Sequence, residues 1–276
     1  MKNTVLISGG LGNQLFQYTF MLYLKKKLNA DVTYNCSSID FYKIHTGFQA
    51  NLVFDFSEYE KDNRNFYSGF HRGLRKIKKK LGIKKSFNFC SDRMFDNKEK
   101  LYPIFEGFWQ KAKFYEFVKP ELKKAFKDLS VYCSDSEFVQ QMNDTESVML
   151  HIRRGDYLKD SSYADLSGTE YYQKAIEYFK GVYEKPVFFV FSDDVKWCRE
   201  YFKEYEDLVF VEYENQTALS DLYLMHQCKN AIVANSSFSW WGAALDTKKV
   251  VARPTNYHVC TDTNVLYPCD WVAIEG

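Results

Sequence analysis

Nothing in the 276 residues approaches the run of about 18 apolar residues that a membrane-spanning helix needs. Before the glycines at 9 and 10 there is only a short apolar stretch, too short for the core of a secretion signal. A surplus of charge is missing too. The chain has 37 Lys and Arg against 36 Asp and Glu, a net charge of +1, which gives no sign of a nucleic-acid binder. The seven cysteines are odd in number, irregularly spaced and form no CxxC pair, so neither a disulfide framework nor a zinc or dithiol site is expected. A reducing, cytoplasmic compartment is the expectation.

What is present is apolar and aromatic mass. Hydrophobic residues make up 46% of the chain and include 24 Phe and 21 Tyr, ample for a buried core, which excludes a disordered chain. Single rings fill cores, whereas tyrosine in such numbers also suits partly wet faces such as sugar-handling clefts. One segment departs from the even charge. The run His71–Lys85, HRGLRKIKKKLGIKK, holds eight Lys or Arg and no acid. It reads either as a solvated helix face or as a patch that touches anionic lipid or a negatively charged acceptor carrier.

The second half alternates strand-like and helix-like segments, which argues for a parallel sheet covered by helices. Strands are expected at Val148–Ile152, Val187–Phe191, Leu208–Tyr213, Ala231–Ala234 and Val250–Ala252. Helices are expected at Glu170–Lys180, Trp197–Tyr205, Leu219–Cys228 and Phe238–Asp246. The first half opens in the same way, with a strand at Thr4–Ser8, a glycine turn, a helix to Leu28 and a strand at Val32–Asn35, and then loses its period. Two α/β halves around a central cleft result. Residues 1–145 form an acceptor-side half with an irregular region at 40–120, and residues 146–276 form a nucleotide-binding half, the boundary lying in the polar stretch QQMNDTES.

Four strings carry chemistry, each just after a strand, where ligands sit in open α/β sheets. His151-Ile152-Arg153-Arg154-Gly155-Asp156 puts two adjacent arginines at a strand exit. A diphosphate would meet them with charge-assisted, often bidentate bonds; a structural ion-pair cluster would also satisfy them. Asn235-Ser236-Ser237-Phe238-Ser239, followed by Trp240-Trp241, opens a helix whose free amides suit an anion, or is ordinary capping with the tryptophans in the core. Gly9-Gly10-Leu11-Gly12-Asn13-Gln14 is half a dinucleotide fingerprint. Leu15 replaces its third glycine and no acid ends the next strand, so NAD is disfavoured while close backbone approach remains. Asp193-Asp194 ends a strand with paired carboxylates that could meet the donor edge of guanine, cap a helix or hold a divalent metal. Together the strings ask for a nucleotide diphosphate. The tripeptide Arg154-Gly155-Asp156 also spells an adhesion motif, but it abuts a strand expected to be buried.

The set resembles the bacterial α-1,2-fucosyltransferases, glycosyltransferase family 11. HIRRGD matches the HxRRxD motif, which is shared with α-1,6- and protein O-fucosyltransferases and so reports on the donor. GGLGNQLFQY, FSDDVKWC, DLYLMHQCKNAIVANSSFSWWGAAL and LYPCDW are similar to that family's blocks in its order. The resemblance implies a GT-B-type fold that transfers fucose from GDP-fucose, with inversion and without a metal or other cofactor. The product expected is Fucα1-2Gal on a terminal β-galactoside of an oligosaccharide or lipid-linked glycan. It implies that Arg153 and Arg154 grip the diphosphate and that His151 with Asp193 or Asp194 holds ribose and guanine. Asn235 and Ser236–Ser239 would line the phosphate end, and Gly10, Gly12, Asn13 and Gln14 would approach from the first half. No general base stands out; Asp156 is the candidate because it shares the strand exit with the arginines. A fucosyltransferase of another linkage, a metal-dependent transferase and a non-catalytic sugar-binding module are the alternatives.

Overall fold

The computed structural model describes residues 2–42, 47–67, 89–133, 136–245, 250–257 and 263–276. The basic run at 71–85 lies outside them. The chain divides into two compact units, 1–127 and 128–276, each an α/β layer built on a parallel sheet.

In the first unit the strands β1 (Lys2–Leu6), β2 (Asp31–Asn35), β3 (Glu60–Lys61), β4 (Phe89–Cys90) and β5 (Ile104–Phe105) pair in the order β3-β2-β1-β5-β4, all parallel. The helix Leu11–Leu28 is buried on every side as far as Leu24, so it has no amphipathic stripe. It ends on a lysine triplet, Lys25–Lys27, that complements the helix dipole, and on Asn29 in the left-handed region at φ 51°. The helix Ala112–Ala125 packs against it. Phe20 stacks on Trp109 at 3.8 Å and meets Phe95, Phe105 and Phe114 edge-on or tilted. The aromatics expected in an irregular stretch at 40–120 are thus largely core. Strands β3–β5 have two residues each, too few to leave a period in sequence.

In the second unit, β6 (Glu146–Ile152), β7 (Pro186–Ser192), β8 (Leu208–Phe210), β9 (Asn230–Ile232), β10 (Val251–Pro254) and β11 (Val272–Ile274) pair in parallel in the order β11-β10-β9-β6-β7-β8. Leu150, Val190, Ile232 and Ala252 face one way, into a cluster with Tyr171, Ile176 and Phe179 of the helix Tyr171–Val182. The unit begins at Asp128, not near 145. The helix Ser136–Asp144 buries Met142 and packs on the helix Ala218–Gln227, so the polar stretch read as a boundary is the outer face of an element of the second unit. Among the described residues no helix is long and apolar enough to cross a membrane.

Candidate functional site

All six strands of the second unit run the same way, so the segments that follow them share one edge. HIRRGD leaves β6 there. The Arg153 guanidinium pairs with Asp156 Oδ1 at 2.7 Å and Asp193 Oδ2 at 3.1 Å, lies 5.6 Å from the centre of the Tyr157 ring and stays 33% exposed. Arg154 is held more tightly. Its backbone N–H donates to Asp193 Oδ1 at 2.9 Å and its Nε to Asp194 Oδ2 at 3.2 Å; its guanidinium bonds Ser167 Oγ and stacks 3.8 Å over Trp197. At 14% exposure Arg154 is built into the fold, and Arg153 is the arginine that can turn to an anion. A Cβ on Gly155 would stand 2.7 Å from Asp193 Oδ2, so glycine is what lets Asp193 reach both arginines.

Asp194 also caps the helix Val195–Tyr201 by accepting from the Trp197 N–H at 3.2 Å. The pair therefore serves as cap and as ion-pair partner at once. Among the described residues no group of three or more His, Cys, Asp or Glu is arranged to hold a metal ion.

His151 is buried on β6 with its ring 6.0 Å from that of Phe238, edge-on, and its Nδ1 has no hydrogen-bond partner. Burial, reinforced by the charge of Arg153, pushes its pKa down to about 3, so the imidazole is neutral near pH 7 and serves as a donor or acceptor rather than as a cation.

The Asn235–Ser239 turn follows β9. Asn235 Nδ2 donates to the carbonyls of Ala164 (2.8 Å) and Tyr257 (3.0 Å), and Ser239 Oγ accepts from the Ala234 N–H at 2.8 Å. Ser236 occupies the cap position of the helix Ser237–Ala244, yet its side chain makes no capping bond; the Tyr157 hydroxyl bonds it instead. The Tyr257 side chain meets the Ser237 amide, and the amides that follow it in that helix are left to an anion. Trp240 and Trp241 are fully buried, which makes that part of the string core.

In the first unit, Gly9 takes φ 76°, a conformation glycine adopts without strain, and Gly10 is the N-cap of the helix Leu11–Leu28. Gly12 is buried, and Asn13 Oδ1 accepts from Gln110 Nε2 at 2.6 Å. Gln14 donates to the carbonyls of Gly9 and Gly47 and accepts from the N–H groups of Gln49 and Ala50. Those are all four bonds an amide side chain can make, so Gln14 holds loops together.

The sequence reading passed over two polar residues at the second unit's edge. Asp221, in the first turn of the helix Ala218–Gln227, accepts from Gln216 Nε2 at 2.7 Å and from the Tyr213 hydroxyl at 3.3 Å, and burial pushes its pKa up to about 6. The other is Arg253 at the end of β10. Asp221 opens the block DLYLMHQCKNAIVANSSFSWWGAAL, which by itself gives it no role, and Arg253 lies in no string. The sequence signal at Arg253 is a charged residue inside an otherwise apolar segment.

The profile of glycosyl transferase family 11 matches residues 1–275. The chain is 32% identical over 292 aligned residues to an α-1,2-colitosyltransferase of Escherichia coli, covering 98% of this chain and 97% of that one. It is 27% identical over 192 residues to the mouse galactoside 2-α-L-fucosyltransferase Sec1, covering 63% and 52%. Its fold is similar to that of NodZ, an α-1,6-fucosyltransferase co-crystallized with GDP, with a TM-score of 0.50 at 12% identity over 88% of this chain and 92% of that one. The likeness bears out the expected α/β class with two parallel sheets.

Proposed function

The chain belongs to glycosyl transferase family 11, and on that premise we propose that it moves L-fucose from GDP-β-L-fucose to the 2-hydroxyl of a terminal β-galactoside, forming Fucα1-2Gal with inversion. The observation that carries this reading is the one-third-exposed Arg153 at the same sheet edge as the start of the helix Ser237–Ala244, whose Ser236 makes no side-chain capping bond. Guanidinium and helix amides would bind the diphosphate and neutralise the charge that grows on it as the bond from C1 to the phosphate oxygen breaks. The acceptor oxygen attacks C1 from the opposite face and its proton passes to a base. Asp156 holds that role in this proposal, freed from Arg153 when the diphosphate takes the guanidinium. For the donor edge of guanine, Asp193 and Asp194 are already engaged by arginines, whereas Asp221 is half-buried and has no ion pair among the described residues. The galactoside and the 2-linkage are taken from the relatives' names, and action without a metal in the cytoplasm belongs to the same proposal.

A second reading keeps the site and changes the sugar, since the E. coli relative is named for colitosyl transfer. GDP release from GDP-fucose, with and without lactose, in EDTA, with the product linkage read by NMR, separates the possibilities. Lactose-dependent release giving Fucα1-2Gal is expected. A different linkage discards the acceptor claim and keeps the donor, faster turnover of GDP-colitose selects the second reading, and a requirement for divalent metal removes the mechanism.

A further inference from the structure

We infer that Arg253 is an additional anion-binding residue of the second unit, placed to take a phosphate oxygen of the nucleoside diphosphate. The inference rests on the GDP-sugar reading above and adds to it a residue outside every motif string.

The sheet register places it. Leu150 stands opposite Ile232 and Ile232 opposite Ala252, so the residues one step further, His151 on β6, Val233 just past β9 and Arg253 on β10, lie side by side. A hydrogen bond from the Val233 N–H to the Ala252 carbonyl at 3.0 Å continues the ladder to that level. Two strand spacings put the backbones of His151 and Arg253 about 10 Å apart. Leu150, Ile232 and Ala252 face the cluster under the helix Tyr171–Val182, so by alternation His151 and Arg253 face the other way. The helix Ser237–Ala244 covers that second face, where a Cβ on Gly242 would meet the sulfurs of Met225 and Met149. Two buried polar side chains thus flank a helix start whose N-cap residue, Ser236, makes no side-chain capping bond.

Arg253 is short of partners. It is 9% exposed and its Nε has no hydrogen-bond partner. One guanidinium nitrogen reaches the Pro254 carbonyl at 3.5 Å and the other Asn264 Oδ1 at 3.3 Å, both long and both to neutral acceptors, and the group lies 5.2 Å from the centre of the Tyr267 ring. No ion pair forms on it among the described residues, whereas Arg153 and Arg154 each have aspartates. A buried cation without a counter-charge is costly to hold, and an anion arriving at the helix start would supply that charge.

The test is calorimetric titration of the full-length protein with GDP, guanosine and inorganic pyrophosphate, for wild type, Arg253→Gln and Arg253→Lys. The glutamine variant should lose at least about tenfold in GDP affinity and lose pyrophosphate binding, with guanosine held within about twofold. Should that variant fail to fold, the lysine variant, which keeps the charge and loses the planar fork, should show the same selective loss to a smaller degree. Equal loss of GDP and guanosine, or unchanged GDP affinity in a folded variant, overturns the inference and leaves Arg253 a structural residue. A wild type that binds no GDP overturns the donor reading first, and this assignment with it.

Discussion

The two units present the same kind of sheet edge and use it differently. In the first, the amide side chains behind the edge are spent on the chain itself, and Asp62 and Asp92 are likewise bonded to Arg64 and to the Phe108 and Trp109 amides. Gln14 makes four bonds to backbone, Gln17 ties Ser8 to the Gly107 carbonyl, and Asn35 holds the carbonyls of Asp62 and Arg64. In the second, the edge carries ions, and their pairing is incomplete: Arg153 is one-third exposed, His151 Nδ1 is unpartnered and Arg253 lacks a counter-charge among the described residues. An edge whose bonding capacity is used up is scaffold, and one with capacity left over can take a ligand.

The largest effect expected from that contrast is on Arg153. Arg153→Ala removes the arginine that can turn to the diphosphate while leaving Arg154 fixed by Trp197, Ser167 and Asp194, so the fold should survive. Turnover should fall by about 10²–10³-fold or more, as when a group that stabilises transition-state charge is lost. Acceptor-dependent GDP release by a variant with an unchanged far-ultraviolet circular dichroism spectrum checks this. Near wild-type rates would place the working edge elsewhere.

Gln14 is the control from the other unit. Gln14→Ala leaves buried carbonyls and N–H groups without partners and should lower stability by about 2–4 kcal/mol, visible as an earlier denaturant midpoint. GDP affinity of the folded fraction should stay within about twofold. A tenfold loss of GDP affinity at unchanged stability would make Gln14 a ligand residue and break the contrast.

Long elements were legible in the sequence and spatial partners were not. β6 and β7 have seven residues each, and the helix Tyr171–Val182 between them is amphipathic, so the second unit's sheet could be laid out in advance. The first unit's two-residue strands leave no such trace, and its aromatic run reads as an irregular region although Trp109, Phe95 and Phe105 are fully buried. HIRRGD marked both arginines, but which of them is free depends on Trp197 and Ser167, which come from distant parts of the chain. The need for glycine at 155 likewise appears only once Asp193 is placed against it. Arg253 and Asp221 stayed hidden because a lone charge in an apolar strand or helix gains meaning from the register and burial that surround it.

The smallest expected effect sets an amide of the first edge, Gln14, which does not titrate, against two groups of the second that do. His151 has its pKa pushed down to about 3 from an ordinary 6.5, so in the folded state it binds fewer protons than in the unfolded chain; its contribution is present above about pH 6.5 and is lost as pH falls. Asp221 has its pKa pushed up to about 6 from an ordinary 3.8, so its contribution is present below about pH 4 and is lost as pH rises towards 6. Each changes stability by at most about 1.4 kcal/mol per pH unit. Between pH 4 and 6 the two oppose one another. Asp221→Asn should therefore gain stability relative to wild type as pH rises through that window, by about 2 kcal/mol at its upper end. His151→Gln should gain relative to wild type as pH falls. Urea unfolding at a series of pH values reads both gradients, and Gln14→Ala should show a constant offset. Gradients of the same sign in the two variants, or a pH-dependent offset in Gln14→Ala, would mean that the titrating groups lie elsewhere.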